Sequence, residues 1–407
     1  MISQRHGWGY GRVLLAGAIV GVLTPVRVYS DSIGYISSAM SLYSTGFSRD
    51  YSWLREPLYP VFLRVLLELP PTISLHAIPM IQGMALASGF WLFAAAARGM
   101  GLLDREEPAT YYALTCLLVT GYSGAILQQP LMVFTAGSLA FCAVRLATAP
   151  IDRRILVVSG AAATFAILLS SVFLVPVALL PFAPSVLRLR FTWPPFVAVW
   201  GSGALALTTW MAIRLANGQA FGLGGTAVLD RPHAVDWPLR IQAFLATFGL
   251  APDFYDSAHF NVLSYSNISI GLAPYIGQQT CAAGSLADLR SMPATNLICG
   301  SPLGPHLPQS LGEPLSTIGI LQVLVGVIAL AWACSAASPV RLYALVLAIT
   351  MAPCLPVALL LGDGNSRYGL PVLSLSLVLT VGMATRAWQR ARAALSPTSS
   401  QPRGAAP

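Results

Sequence analysis

Between Arg154 and Arg188 the chain runs for 33 residues without a charged side chain. At 1.5 Å per residue a continuous helix over that run is about 50 Å long, well beyond a hydrocarbon core of about 30 Å. Ser170-Ser171 falls at its middle, so residues 155–187 are read as two shorter spans meeting near Ser170. The rest of the chain agrees: it is 56% hydrophobic and 9% charged, where an ordinary soluble chain carries about 25% charged residues. That composition excludes a water-soluble globule. It predicts an all-α polytopic membrane protein.

About ten transmembrane helices are expected, over residues 11–28, 73–97, 109–125, 131–146, two within 155–187, 194–215, 316–336, 342–361 and 369–388. Residues 1–215 then form an N-terminal membrane module with a first outer loop at 29–72. A large extracytoplasmic loop follows at 216–315, C-terminal membrane helices at 316–392 and a disordered cytoplasmic tail at 393–407, rich in Ala, Pro and Ser. Arg5, Arg12 and Val28-Tyr29-Ser30 imitate a signal peptide, but an uncleaved first span suits a chain that is itself membrane-embedded.

Within the first loop, Ile33, Ile36, Met40, Tyr43 and Phe47 recur every three or four residues. This predicts an amphipathic surface helix over 31–47, able to lie flat in the interface and equally an ordinary packed loop helix, the two being compatible. A second short helix is expected from Pro57 to Leu69.

Charge gives the orientation. With the N-terminus in the cytoplasm and the spans alternating, 14 of the 23 basic residues and only four acids lie inside. That is the bias of the positive-inside rule. Both termini are then cytoplasmic. The 29–72 loop, the 216–315 loop and the turn at 362–368 face outward together. All 23 basic residues are arginine, as GC-rich coding would give, so a bacterial inner membrane is the expected location. No glycine-rich phosphate loop and no nucleic-acid-binding module is present.

The chemistry-bearing residues gather on that outer side. Asp31 follows the first span, Arg55-Glu56 precedes a Pro-Leu-Tyr-Pro run, and Arg367-Tyr368 precedes the last span. A carboxylate at the headgroup level can act as a general base on a hydroxyl. An arginine fork there suits a lipid-linked phosphate. Each also has a plain alternative, as a solvated or salt-bridged loop charge or an interfacial anchor. In the large loop Asp253, Asp256 and His259 have a weak metal-like spacing, and Trp237, Phe254, Tyr255 and Phe260 offer faces for sugar stacking. Cys281 and Cys299 share that loop; outside the cell they can form a disulfide.

Asp31, the run Arg55-Glu56-Pro57-Leu58-Tyr59-Pro60-Val61-Phe62-Leu63 and the segment Ser366-Arg367-Tyr368-Gly369-Leu370-Pro371-Val372 together resemble the GT-C glycosyltransferases. These are integral membrane enzymes that take sugars from polyprenyl-phosphate or polyprenyl-diphosphate carriers. The resemblance implies Asp31 as catalytic base or acceptor contact, Glu56 as a second acidic residue, and Arg367 with Tyr368 at the donor phosphate. Ser32 stands where the family often has a second acid. Gln128-Gln129 stand where many members have an acid at the outer end of the third–fourth span hairpin. A divalent metal is accordingly not expected, since hard cations want several carboxylate oxygens.

The residue chemistry fits sugar transfer without that likeness. Asp31 or Glu56 would be the base, and Arg367, Arg55 or Arg64 would hold the phosphate; Tyr59, Gln128 and Gln129 are further substrate contacts that the resemblance implies. The reaction expected is transfer of a sugar from a polyprenyl-phosphate donor to a glycan, lipid or protein acceptor. It would proceed by a single inverting displacement; retention would need a second carboxylate as nucleophile. A polysaccharide polymerase or ligase using diphosphate-linked oligosaccharides is the alternative enzyme. A lipid-linked-sugar flippase is the alternative transporter, although transporters place their charges near mid-bilayer. The topology has a direct test: alkaline phosphatase fused within 216–315 will be active in a bacterial host and inactive when fused at 149–152. The reverse pattern would overturn the orientation.

Overall fold

The computed structural model describes residues 4–23, 34–36, 38–39, 41–42, 46–47, 51, 55–103, 121–124, 126, 128–188, 191–219, 340–351, 371–372, 374–375, 378–379, 387–388 and 391–392. Asp31, Arg367, Tyr368, Cys281 and Cys299 lie outside them, as do most of the large loop and the 316–336 span. Among the described residues the structure is helical, with no strand. The helices are α1 (Gln4–Leu23), α2 (Leu58–Leu67), α3 (Pro71–Gly99), α4 (Gly121–Gly124), α5 (Gln129–Thr148) and α6 (Arg153–Leu169). They continue with α7 (Leu174–Leu179), α8 (Ala183–Arg188), α9 (Trp193–Ala216) and α10 (Val340–Met351). Short 3-10 turns at Ser171–Phe173 and Leu180–Phe182 flank α7.

Three stretches, His76–Gly99, Gln129–Thr148 and Trp193–Ala216, are long and apolar enough to cross a membrane. This is compatible with an all-α membrane protein. The helix boundaries follow local chemistry. Prolines open α3, α5 and α9 in the first turn, where a missing N–H costs nothing. Asp152 caps α6, its carboxylate accepting from the Ile155 N–H at 2.8 Å. Gly101 and Gly218 adopt positive φ just beyond α3 and α9. They allow the Leu102 N–H to return to the Ala97 carbonyl and the Gln219 N–H to the Arg214 carbonyl, a Schellman closure that needs a left-handed residue.

The 33-residue uncharged run breaks where the serine pair stands. Helix α6 ends at Leu169, Ser170 is extended at φ −163° and ψ 136°, and a new helical segment begins at Ser171. Its return leg is split into short pieces punctuated by Pro176, Pro181 and Pro184.

Packing depends on close backbone approach. A Cβ on Gly17 would lie 2.5 Å from the Gly83 carbonyl oxygen, and one on Gly21 would strike Pro79. So α1 and α3 run antiparallel in contact. A Cβ on Gly89 would meet Val133 Cγ1 at 2.8 Å and Phe134 N at 2.9 Å, and one on Gly137 would lie 2.7 Å from the Gly89 oxygen. Since Gly99 likewise faces Val144, α3 and α5 are parallel. Small residues at helix contacts are how apolar helices associate when lipid removes the hydrophobic drive. Helix α6 runs beside α9 in parallel, with Gly160 against Ser202 and Gly203 against Ile167.

Helix α5 is central, with 72% of its apolar window buried, and α9 peripheral, with 28%; Trp193 and Val197 on α9 are each 70% exposed. Helix α10 packs on α5 through buried Leu342, Val346 and Ile349. These directions gather the ends of α1, α6 and α9 and the starts of α3 and α5 at one end of the bundle. Arg98, Arg145, Arg153 and Arg154 collect at the opposite end.

The described part of the 34–47 stretch departs from a stripe lying in lipid. Tyr35, Ile36 and Ala39 are buried in the protein core, and Phe47 packs its ring on Trp210 with centroids 5.4 Å apart. The packed loop helix is what forms, because Trp210 and α2 offer this segment an apolar partner.

The glycine contacts give a test. Gly89→Val will lower the thermal unfolding midpoint by the equivalent of about 1–3 kcal/mol, the ordinary cost of overpacking. Gly201→Ala, with nothing within 4 Å of the added carbon, will leave it unchanged. Equal midpoints for the two variants would contradict the α3–α5 contact.

Candidate functional site

Glu56 sits in the loop before α2 and is 6% exposed. Its Oε1 accepts the Ser171 N–H at 3.1 Å. The break at Ser170 explains this bond. Ser170 N–H reaches back to the Ala166 carbonyl and Phe173 N–H to that of Ser170. Ser171 opens the next segment, where an N–H has no partner within its own helix. The Glu56 carboxylate supplies one from 115 residues away.

A second anchor seats the loop. The Tyr51 hydroxyl donates to the backbone carbonyls of Arg55 and Glu56, each at 3.4 Å. The Tyr51 ring packs edge-on against Trp210 and Phe47, with centroids 6.0 and 5.2 Å away. Such pairs contribute about 0.5–1.5 kcal/mol each beyond area burial. Arg214 lies one turn beyond Trp210 on the same face of α9. It is 5% exposed, and its charge interacts with Glu56 and Tyr51.

Arg55 lies over the Tyr35 ring, its guanidinium carbon 4.5 Å from the centroid, and its Nη1 donates to the Tyr35 hydroxyl at 3.4 Å. Gly34 leaves room for it: a Cβ there would come 3.2 Å from Arg55 Nε.

Burial pushes the Glu56 carboxyl above its ordinary 4.5; the bonds from Ser171 and the charge of Arg55 pull the other way without cancelling it. Tyr51 is driven up as well, first by burial and then by the Glu56 charge. Glu56, Arg55, Arg214 and Tyr51 thus form one polar cluster at one end of the helices. Among the described residues no three His, Cys, Asp or Glu side chains stand together.

The other sequence-selected residues divide. The buried Tyr59 hydroxyl donates to Gln82 Oε1 at 2.7 Å, and Gln82 Nε2 donates to the Ser123 carbonyl at 2.7 Å. This chain ties α2, α3 and α4 together, so Tyr59 serves the fold. Arg64 pairs with Glu68 one turn along α2, as a surface ion pair of small energetic weight. Gln128 caps α5. Gln129 is buried, and its Oε1 has no hydrogen-bond partner among the described residues. Arg214, Tyr51 and Ser171 were not foreseen as site residues. A charged side chain inside an apolar span was the available signal for Arg214.

No protein-family model, no curated protein and no solved structure matches the chain. Among the described residues, the fold and the cluster define its class only as a helical protein with three helices long and apolar enough to span a membrane.

Because the folded carboxyl of Glu56 titrates above 4.5, the folded chain binds more protons than the unfolded one from pH 4.5 up to the raised value. Stability must fall as pH rises through that window and level off above it. Glu56→Gln keeps an oxygen for Ser171 and has no charge to desolvate. Thermal unfolding across the acid-to-neutral range will show the slope in the wild type and a flatter profile in the variant. At neutral pH the variant's midpoint will be at least as high. Glu56→Ala will lower it by the equivalent of about 1–3 kcal/mol for the orphaned donor. A wild type that gains stability as pH rises through the window would reverse this reading.

Proposed function

We propose that this protein is a membrane glycosyltransferase of the GT-C type. It transfers a sugar from a polyprenyl-phosphate donor to a glycan, lipid or protein acceptor at the outer face of a bacterial inner membrane, with inversion at the sugar carbon. About ten spans carry the chain across the membrane, and both termini face the cytoplasm.

The observation that carries this reading is the folding of Arg55-Glu56 against Ser171 and the last turn of α9. One carboxylate and two guanidiniums are thereby held at the end of the bundle away from Arg98, Arg145, Arg153 and Arg154. On the positive-inside orientation that end is the outer one. Sugar transfer from a lipid phosphate needs a base on the acceptor hydroxyl and positive charge on the departing phosphate.

Glu56 is buried and engaged with Ser171, so it acts as a positioning residue for the loop. That leaves Asp31, earlier in the same loop, as the base. Arg367 and Tyr368 hold the departing phosphate with Arg55. The orphaned amide oxygen of Gln129 accepts from a substrate hydroxyl, since a buried polar atom without a partner is rare.

The test uses purified full-length protein in vesicles carrying a polyprenyl-phosphate hexose, with new glycosidic product read by mass spectrometry after acceptor is added. Asp31→Asn will lower the rate by about 100-fold or more, the ordinary share of a general base. Arg367→Ala will do likewise. Wild-type rates in Asp31→Asn would remove the base. A ladder of repeating products would favour a polymerase, and sugar crossing the vesicle without a new bond would favour a flippase.

A further inference from the structure

A groove of about 640 Å³ opens between α6 and α9, within the size range of small-molecule sites. It runs from Arg153 at the arginine-rich end, past Val157, Gly160, Thr164 and Ser202, to Leu58, two residues after Glu56. Along α6 the lining from Arg153 to Leu168 rises by about 22 Å. That exceeds the half-thickness of a bilayer core, about 15 Å, by roughly the depth of a glycerol-phosphate head. Gly160 sets the groove beside the helix crossing, because α9 approaches α6 within contact of its Cα at Ser202. The flank is apolar and peripheral, with Val157 on α6 62% exposed.

One end of this groove is charged and the other is not. Arg153 is exposed at the mouth, with exposed Arg154 beside it. The neighbouring acid, Asp152, is committed to capping the Ile155 N–H. Basic pockets between helices on the cytoplasmic side are suited to anionic lipid heads.

We propose that this groove binds one anionic phospholipid, with an acyl chain between α6 and α9 and its phosphate against Arg153. The site is separate from the polar cluster at Glu56 and does not depend on the transfer reaction. A lipid seated there fills the gap beside the α6–α9 contact, and so steadies the pair of helices that presents Ser171 and Arg214 to the first loop.

The test is native mass spectrometry of the full chain released from vesicles of equal phosphatidylglycerol and phosphatidylcholine. Wild type will retain one phosphatidylglycerol, preferred by about fivefold, the factor equivalent to roughly 1 kcal/mol per arginine near an anionic surface. Arg153→Gln will abolish the preference and Arg153→Lys will keep it. Ala161→Phe, which fills the groove, will abolish retention while elution on size exclusion stays that of wild type. Val157→Trp blocks the groove from its exposed side and serves if Ala161→Phe fails to elute normally. Equal retention of both lipids by wild type would overturn the proposal. So would a preference that survives Ala161→Phe, or displacement of the phosphatidylglycerol by added polyprenyl phosphate, which would assign the groove to a carrier chain.

Discussion

The bond from the Ser171 N–H to the Glu56 carboxylate is the interaction on which the arrangement of this end depends. It solves a problem created by an uncharged run too long to cross once. Such a run must break, and a break inside an apolar layer strands backbone donors that no water can meet. Here the Ser171 donor is met by a side chain from the first loop. The same bond fixes where Arg55, Glu56 and Pro57 lie, because Glu56 cannot satisfy Ser171 unless they sit at the end of α6. Tyr51 and Trp210 then hold the loop from the α9 side. A hydrogen bond to a charged acceptor is worth about 1.5–3 kcal/mol. Desolvating the carboxylate costs several. The tie therefore contributes specificity of placement more than net stability.

The helices beneath it are assembled by a different principle. Glycines on α1, α3 and α5 bring backbones together at Gly17–Gly83 and Gly89–Gly137, and the side chains around them are mostly Ala, Leu and Phe. Some of the polar groups that enter this core are paired, as in the chain from Tyr59 through Gln82 to Ser123. A bundle of this kind is rigid at its centre. Its chemistry is thereby confined to the two ends, where charge can reach water.

Features that rest on local sequence were legible in advance. The serine break, the proline-opened helices near 73, 131 and 194, and the short helix after Pro57 are each dictated by residues within a few positions of the element. What depends on a distant partner was not. Nothing near Glu56 announces Ser171, and the expectation of a salt-bridged loop carboxylate or a catalytic one left out the role of a helix-end acceptor. The 34–47 stripe has the same periodicity whether it faces lipid or protein, and only the position of Trp210, more than 160 residues later, decides between them. Arg214 falls within the span expected at 194–215. Its membership of the site follows from sharing a helix face with Trp210, which the sequence does contain. Gly17 and Gly21 spell a small-residue contact motif that periodicity in hydrophobicity overlooks.

Helices α6 and α9 join the two ends. Their parallel course, set by Gly160 against Ser202, carries Arg153 at one extremity and Ser171 and Arg214 at the other. A change in spacing between them would move the Ser171 donor relative to the buried Glu56 oxygen. A hydrogen bond near 3 Å tolerates little of that before it weakens. The groove between these helices reaches Leu58, so its packing and that of the segment after Glu56 are adjoining. The loop's carboxylate is held by backbone geometry rather than by an opposing charge in direct contact. That makes its position a readout of the packing of α6 on α9, and α9 is the least buried of the three span-length helices among the described residues.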